Sequence, residues 1–129
     1  MMHRQLVTSG ATWGPVVGYS RAVRVGAWVS VAGTTAAVES GGAVGGDDIG
    51  EQAREALRRI AAALAQAGAG LHDVVRTRIY VTDISRWREV GQAHGEVFGL
   101  LRPATTMVQV SALIEPCLLV EIEADAVIL

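Results

Sequence analysis

The chain has 129 residues, half of them hydrophobic and 19% charged, with a formal net charge of -2. Those values fit one domain with a sizeable core and leave no electrostatic footprint for nucleic acid. A single cysteine, Cys117, rules out an internal disulfide and fits a reducing, cytoplasmic compartment.

No apolar run approaches the roughly 20 residues that a membrane-spanning helix needs, and the first residues lack the apolar core of a secretory signal. His3, His72 and His94 are scattered and, with one cysteine, make no zinc spacing. No metal, cofactor or membrane partner is therefore expected.

Taken in order, residues 1–20 read as an irregular or edge segment. Residues 21–26 (RAVRVG) and 27–32 (AWVSVA) are short, alternating and β-branched, which predicts two strands with a turn near residues 25–27. Gly33 follows at once, where the backbone needs unusual angles or lets a ligand come close. The glycine-rich run 39–46 (ESGGAVGG) has no Walker lysine and no G-x-G-x-x-G after a strand, so it reads as a loop. Asp47 and Asp48 suit a helix N-cap. Over residues 51–67, Ala53, Leu57, Ile60, Ala61, Leu64 and Ala67 recur at three and four, predicting an amphipathic helix capped by Gly68.

Residues 71–74 connect this helix to a strand over 75–81 (VRTRIYV). Alternation puts Val75, Thr77, Ile79 and Val81 on one face, and Arg76, Arg78 and Tyr80 on the other. Asp83 or Ser85 caps a second helix at about 87–99, with Val90, His94, Val97 and Phe98 as its apolar side. Two strands, 106–110 and 118–124, follow on either side of a turn containing Pro116. In the second, Glu121 and Glu123 share one face while Val120, Ile122 and Ala124 share the other. Burying an unpaired carboxylate is costly, so such an acid is either in water or held by partners in a cleft.

The order β-β-α-β-α-β-β predicts an α+β domain over residues 1–129, with two helices on one face of a mixed sheet. Nothing is left over to cover the opposite face, so a homo-oligomer packed sheet against sheet is expected.

Four stretches now carry a family resemblance: GYSRAVRVGAWVSVAG, DIGEQAREALRRIAAALAQAG, VVRTRIYVTDISRWREV and PATTMVQVSALIEPCLLVEIEADAV. In this order, over nearly the whole chain, they resemble the Rid proteins, also called the YjgF/YER057c/UK114 or "endoribonuclease L-PSP" family. The resemblance implies a chorismate-mutase-like fold and a homotrimer with ligand clefts between adjacent subunits. It implies hydrolysis of reactive imines and enamines, such as 2-aminoacrylate, to a keto acid and ammonia. Residue by residue, the family's tyrosine matches Tyr19, its cleft glycine matches Gly33, and its water-positioning carboxylate matches Glu121. The second helix contributes Gly91, where active deaminases commonly have Asn, and His94, where many have an aromatic.

The sequence departs from the family at Thr105. Deaminating members read P-A-R-[ST], and their arginine holds the substrate carboxylate with a bidentate fork; here Pro103-Ala104-Thr105-Thr106 stands instead. Ala32 also replaces the serine usual before Gly33. The resemblance is thus to an arginine-lacking subgroup.

Glu121 is expected to act as general base or to position water. Tyr19 is either a hydrogen-bond donor to ligand or an ordinary half-buried ring. His94 either transfers protons or packs on its helix. Gly33, Gly91, Thr105 and Thr106 are expected to line the substrate site, the threonines through hydroxyls that suit a neutral or carbonyl-bearing ligand. Glu123 reads as structural. Arg21 and Arg102 either supply the missing positive charge from elsewhere or are exposed surface arginines, and the second reading is favoured for each. Cys117 has no activating neighbour, and Trp13, Trp28 and Trp87 are expected in core or interface packing.

The functional expectation is hydrolysis of an imine, enamine or related carbonyl-type metabolite lacking an α-carboxylate at position 105. The alternative is a non-catalytic trimer that binds a small ligand or acts as a chaperone. Ribonuclease activity, attached to the family by name, is disfavoured by the acidic balance and the lack of a basic stripe.

Overall fold

A computed structural model describes residues 3–8, 10 and 13–129; the side chain of Trp13 lies outside the described part. Six strands, β1 (Arg4–Val7), β2 (Ala22–Val25), β3 (Trp28–Thr34), β4 (Val74–Val81), β5 (Ala104–Gln109) and β6 (Val120–Val127), form one mixed sheet in the order β1-β2-β3-β6-β4-β5. Among the described residues three α-helices accompany it: α1 (Trp13–Val17), α2 (Ile49–Gln66) and α3 (Trp87–Phe98). The expected α+β class with helices on one sheet face is what the chain adopts. Within residues 1–20, the described part holds more order than expected: β1 pairs antiparallel with β2, and α1 follows it.

The hairpin of β2 and β3 turns on Gly26 and Ala27, with Gly26 at φ 60, a left-handed value at which a side chain would strain the turn. Ala22 pairs with Val31 and Arg24 with Val29. Asp48 starts α2 by accepting the Glu51 amide, so the expected cap is in place. Ala53, Ala56, Leu57, Ile60, Ala63 and Leu64 bury its inner face. Full burial of each larger aliphatic side chain stabilises the fold by about 1.5–3 kcal/mol. At the far end, Arg24 donates from Nη1 to the Ala67 carbonyl, and Gly68 takes φ +83.

In β4 the expected alternation holds for Thr77, Ile79 and Val81, which are buried, but not for Val75. A register shift between Val74 and Arg76 inserts an extra residue, so Val74 turns inward and Val75 is 46% exposed. The last two strands are not hydrogen-bonded to each other. β5 runs parallel to β4 on the outer edge, and β6 runs antiparallel between β3 and β4. Residues 110–119 therefore cross the end of β4. Gln52, wholly buried on α2, holds this crossing: its Nε2 donates to the Gly46 and Cys117 carbonyls, and its Oε1 accepts from the Leu119 amide.

α2 and α3 lie side by side on one sheet face, linked at their rims by a two-pronged Arg54–Glu96 contact (2.9 and 2.8 Å). Among the described residues, no helix or strand covers the other face. That face carries Ser30, Arg78, Tyr80, Val108, Glu121, Glu123 and Asp125, all at least partly exposed. Trp28 and Trp87 are not core residues; each is nearly half exposed, Trp87 beneath the Arg88 guanidinium.

Candidate active site

On β6, Val120, Ile122, Ala124 and Ala126 face the helices, so Glu121, Glu123 and Asp125 face the open side together, as alternation predicts. The three acids have different surroundings. Asp125 accepts from Ser30 Oγ (3.0 Å) and from Arg78 (3.2 Å). Glu123 accepts from the Tyr80 hydroxyl (2.6 Å), with Arg78 at 3.6 Å, which supports its structural reading. Glu121 has no such partner: among the described residues it accepts no hydrogen bond and forms no ion pair. Burial raises its carboxyl above the ordinary range; the Arg21 charge opposes this, and Glu123 adds to it.

The backbone beneath Glu121 explains its position. β3 breaks register between Val31 and Thr34, and this irregularity presents Gly33 to the acid. A Cβ at Gly33 would lie 2.8 Å from Glu121 Cδ and 3.1 Å from both its oxygens, so only a residue without a side chain lets the carboxylate rest there. Arg21, just before β2, reaches the same place and donates from Nη2 to the Gly33 carbonyl (2.5 Å). Its guanidinium sits 6.0 Å from the Tyr19 ring centroid. Tyr19, Arg21, Gly33 and Glu121 thus border one open cleft of about 1260 Å³, whose far wall holds Arg59, Ala62 and the segment 112–115.

The two opposite charges in this cleft do not meet. No Arg21 nitrogen lies within 4.0 Å of a Glu121 oxygen. Among the described residues, Arg21 Nε is buried without an acceptor, and burial lowers the pKa of the side chain. Arg59 contributes a second guanidinium, bound to Glu55 (2.8 Å) and to the Thr35 carbonyl (2.8 Å).

A second cluster lies on the opposite face of the sheet. Thr77 Oγ1 is 2.9 Å from His94 Nε2 and 2.7 Å from Thr105 Oγ1. Thr105 also donates to the Pro103 carbonyl (3.1 Å). Burial lowers the His94 pKa and favours a neutral ring, which packs 4.7 Å from Phe98. Thr106, the next residue on β5, points to the open face opposite Arg78, and Gly91 lies on α3 with Trp87 as its nearest neighbour.

One chain therefore brings Glu121, Tyr19 and Gly33 together, and separately brings His94 and Thr105 together. The sheet lies between the two groups. Among the described residues, no group of three His, Cys, Asp or Glu is placed to hold a metal. Arg21 was expected on the surface and is instead a half-buried cleft residue. The signal was in the hairpin: folding it about Gly26 and Ala27 sets Arg21 against Ala32, one residue from Gly33. Arg59 gave no comparable signal, because its place depends on how α2 crosses the sheet. Arg102 is exposed, as expected.

A family model described as Endoribonuclease L-PSP matches residues 9–128. A solved structure from Mycobacterium tuberculosis, described as a member of the YjgF/YER057c/UK114 family, is 63% identical. It aligns over 98% of this chain and 100% of its own with a TM-score of 0.89. A RutC family protein of Pyrococcus abyssi is 36% identical over 87% of both chains. The 3-aminoacrylate deaminase RutC of Acinetobacter baylyi is 30% identical over 97% of this chain and 98% of its own.

Proposed function

This chain belongs to the Rid (YjgF/YER057c/UK114, endoribonuclease L-PSP) family, and from that premise we propose that it hydrolyses the C=N bond of a small imine, or of an enamine through its imine form. The observation that carries this reading is the Glu121 carboxylate, half-buried and unbonded over Gly33 at the edge of an open cleft. An acid in that state can take a proton from water near neutral pH. Its relationship to a deaminase supports the reaction class.

In the proposed reaction, a water oxygen bonds to the imine carbon while Glu121 accepts one water proton. The nitrogen gains a proton, with the Tyr19 hydroxyl near enough to the cleft to deliver it. The resulting carbinolamine then loses ammonia as the C=O bond forms: the proton held by Glu121 passes to the departing nitrogen and the hydroxyl proton returns to Tyr19, so imine and water give carbonyl compound and ammonia with both side chains restored. The site works in a homotrimer, at a cleft between subunits. Open apolar side chains on the described surface, including Leu100, Ile114 and Val17, support such association. There, Thr105, Thr106, Gly91 and His94 of one copy face the Glu121 wall of the next. Thr105 offers no charge, and its hydroxyl is engaged by Thr77 and Pro103. The substrate is therefore not held by a carboxylate at that position, and 2-aminoacrylate is not the standard substrate.

Ammonia release from freshly generated 2-iminopropionate and from neutral imines tests this. Glu121→Ala is expected to lower the rate by about 100- to 10,000-fold. Equal rates for the variant and the parent protein on every imine would remove Glu121 from the mechanism. No turnover at all, with metabolite-dependent thermal stabilisation, would favour a non-catalytic ligand-binding trimer.

A further inference from the structure

We propose that Arg21 is the anion-selecting residue of this cleft: the ligand carries a carboxylate, and that carboxylate binds at the Arg21 wall, beside Gly33 and Tyr19. The inference rests on the reading of the Glu121 cleft as the active site, and adds to it the charge of the substrate and where that charge sits.

Three observations point to an absent negative partner. Among the described residues Arg21 Nε is buried without an acceptor, so the chain leaves this guanidinium incompletely neutralised. The guanidinium donates to the Gly33 carbonyl, which anchors it at the wall of the cleft that also holds Glu121. Glu121, the acid that would ordinarily neutralise it, stays more than 4.0 Å away although both line the same cleft. A guanidinium and a carboxylate held apart across shared space suit a molecule with a negative end and an electron-poor carbon. Its anion would pair with the fork of Arg21, leaving the carbon toward Glu121. Arg59 adds positive charge on the far wall, although Glu55 already engages it. Two other acids, Glu39 and Glu115, also line the cleft. They disfavour an anion beside them, which confines the carboxylate to the Arg21 end.

Binding can be separated from turnover with the keto-acid product type. Pyruvate and its neutral methyl ester are titrated into the full chain, following amide resonances of Gly33 and Tyr19 by NMR. The parent protein should bind pyruvate more tightly than the ester. Arg21→Gln should weaken pyruvate by about 10- to 100-fold and leave the ester unchanged. Arg21→Lys should fall between, and Arg102→Gln should match the parent. Glu121→Gln should bind pyruvate at least as well, because it removes a like charge, while losing imine turnover. Equal parent affinity for acid and ester, no pyruvate binding to the parent, or an unchanged pyruvate affinity in Arg21→Gln would each overturn the proposal. Should Arg21→Gln fail to fold, the comparison of acid with ester on the parent protein decides it. Full turnover in Glu121→Ala would instead defeat the hydrolytic role of Glu121, and the Arg21 result would stand by itself.

Discussion

Gly33 is the residue on which the cleft's geometry turns, because its missing side chain leaves room for the Glu121 carboxylate. Gly33→Ala would meet only the mobile end of Glu121, so the fold should survive within about 1 kcal/mol. The carboxylate must move, and imine turnover should drop on the order of 100-fold, as displaced catalytic groups do; parallel thermal melts and kcat/KM measurements check both halves. Glu121 also leaves a mark on stability. Burial raises its folded pKa above the ordinary 4.5, so between those two values the folded state binds more protons than the unfolded one. Stability is then lost as pH rises through that window. Glu121→Gln should raise the melting temperature at pH 7, and the gain should vanish below pH 4.5. His94 has the opposite sign: its lowered pKa makes its contribution present above 6.5 and lost as pH falls below it. At this scale Glu121 and Gly33 were legible, because alternation and a glycine after a strand are local signals. The surroundings of Arg21 were not, because a charged residue at the start of a predicted strand reads as solvated until its cross-strand neighbour is known.

Among the elements, α2 was legible nearly to the residue. Its spacing of small and aliphatic side chains has one solution, and Asp48 supplies its cap. What periodicity hid was Gln52, which looks like a surface residue at the helix start but is fully buried, with three hydrogen bonds to loops 46 and 117–119. Gln52→Leu keeps the volume and removes all three bonds, leaving two carbonyls and an amide without partners. It should cost about 2–4 kcal/mol in a urea titration, with the loss centred on the crossing of residues 110–119. The β4 register shift was equally invisible, because a one-residue insertion in a strand leaves the composition unchanged and only swaps which valine points inward.

For the molecule as a whole, fold class could be read from the order of elements and the family from the four stretches that resemble it, but the neighbour relations of the last two strands could not. Sequence places 106–110 beside 118–124, whereas the sheet places β4 between β5 and β6. Pairing depends on which strand β6 can reach across the core, a long-range choice with no local signature. The open sheet face bears on assembly. Light scattering should give the mass of a trimer, and Val108→Asp, on the exposed side of edge strand β5 where it is 42% exposed, should leave the chain folded but shift it toward smaller species. A trimer that survives this substitution unchanged would place the interface elsewhere.

The position of β6 has a consequence for biosynthesis. It is made after every strand it must join, yet it alone bridges the β1-β2-β3 ladder and the β4-β5 pair. A ribosome-bound chain that has not yet released β6 holds two half-sheets with facing, unsatisfied edges, the kind of surface that recruits chaperones or sticks to its neighbours. The Glu121 carboxylate rides on that same strand, so the cleft forms only when the two halves are zipped together. A shortened product ending before Val120 should be both insoluble and inert.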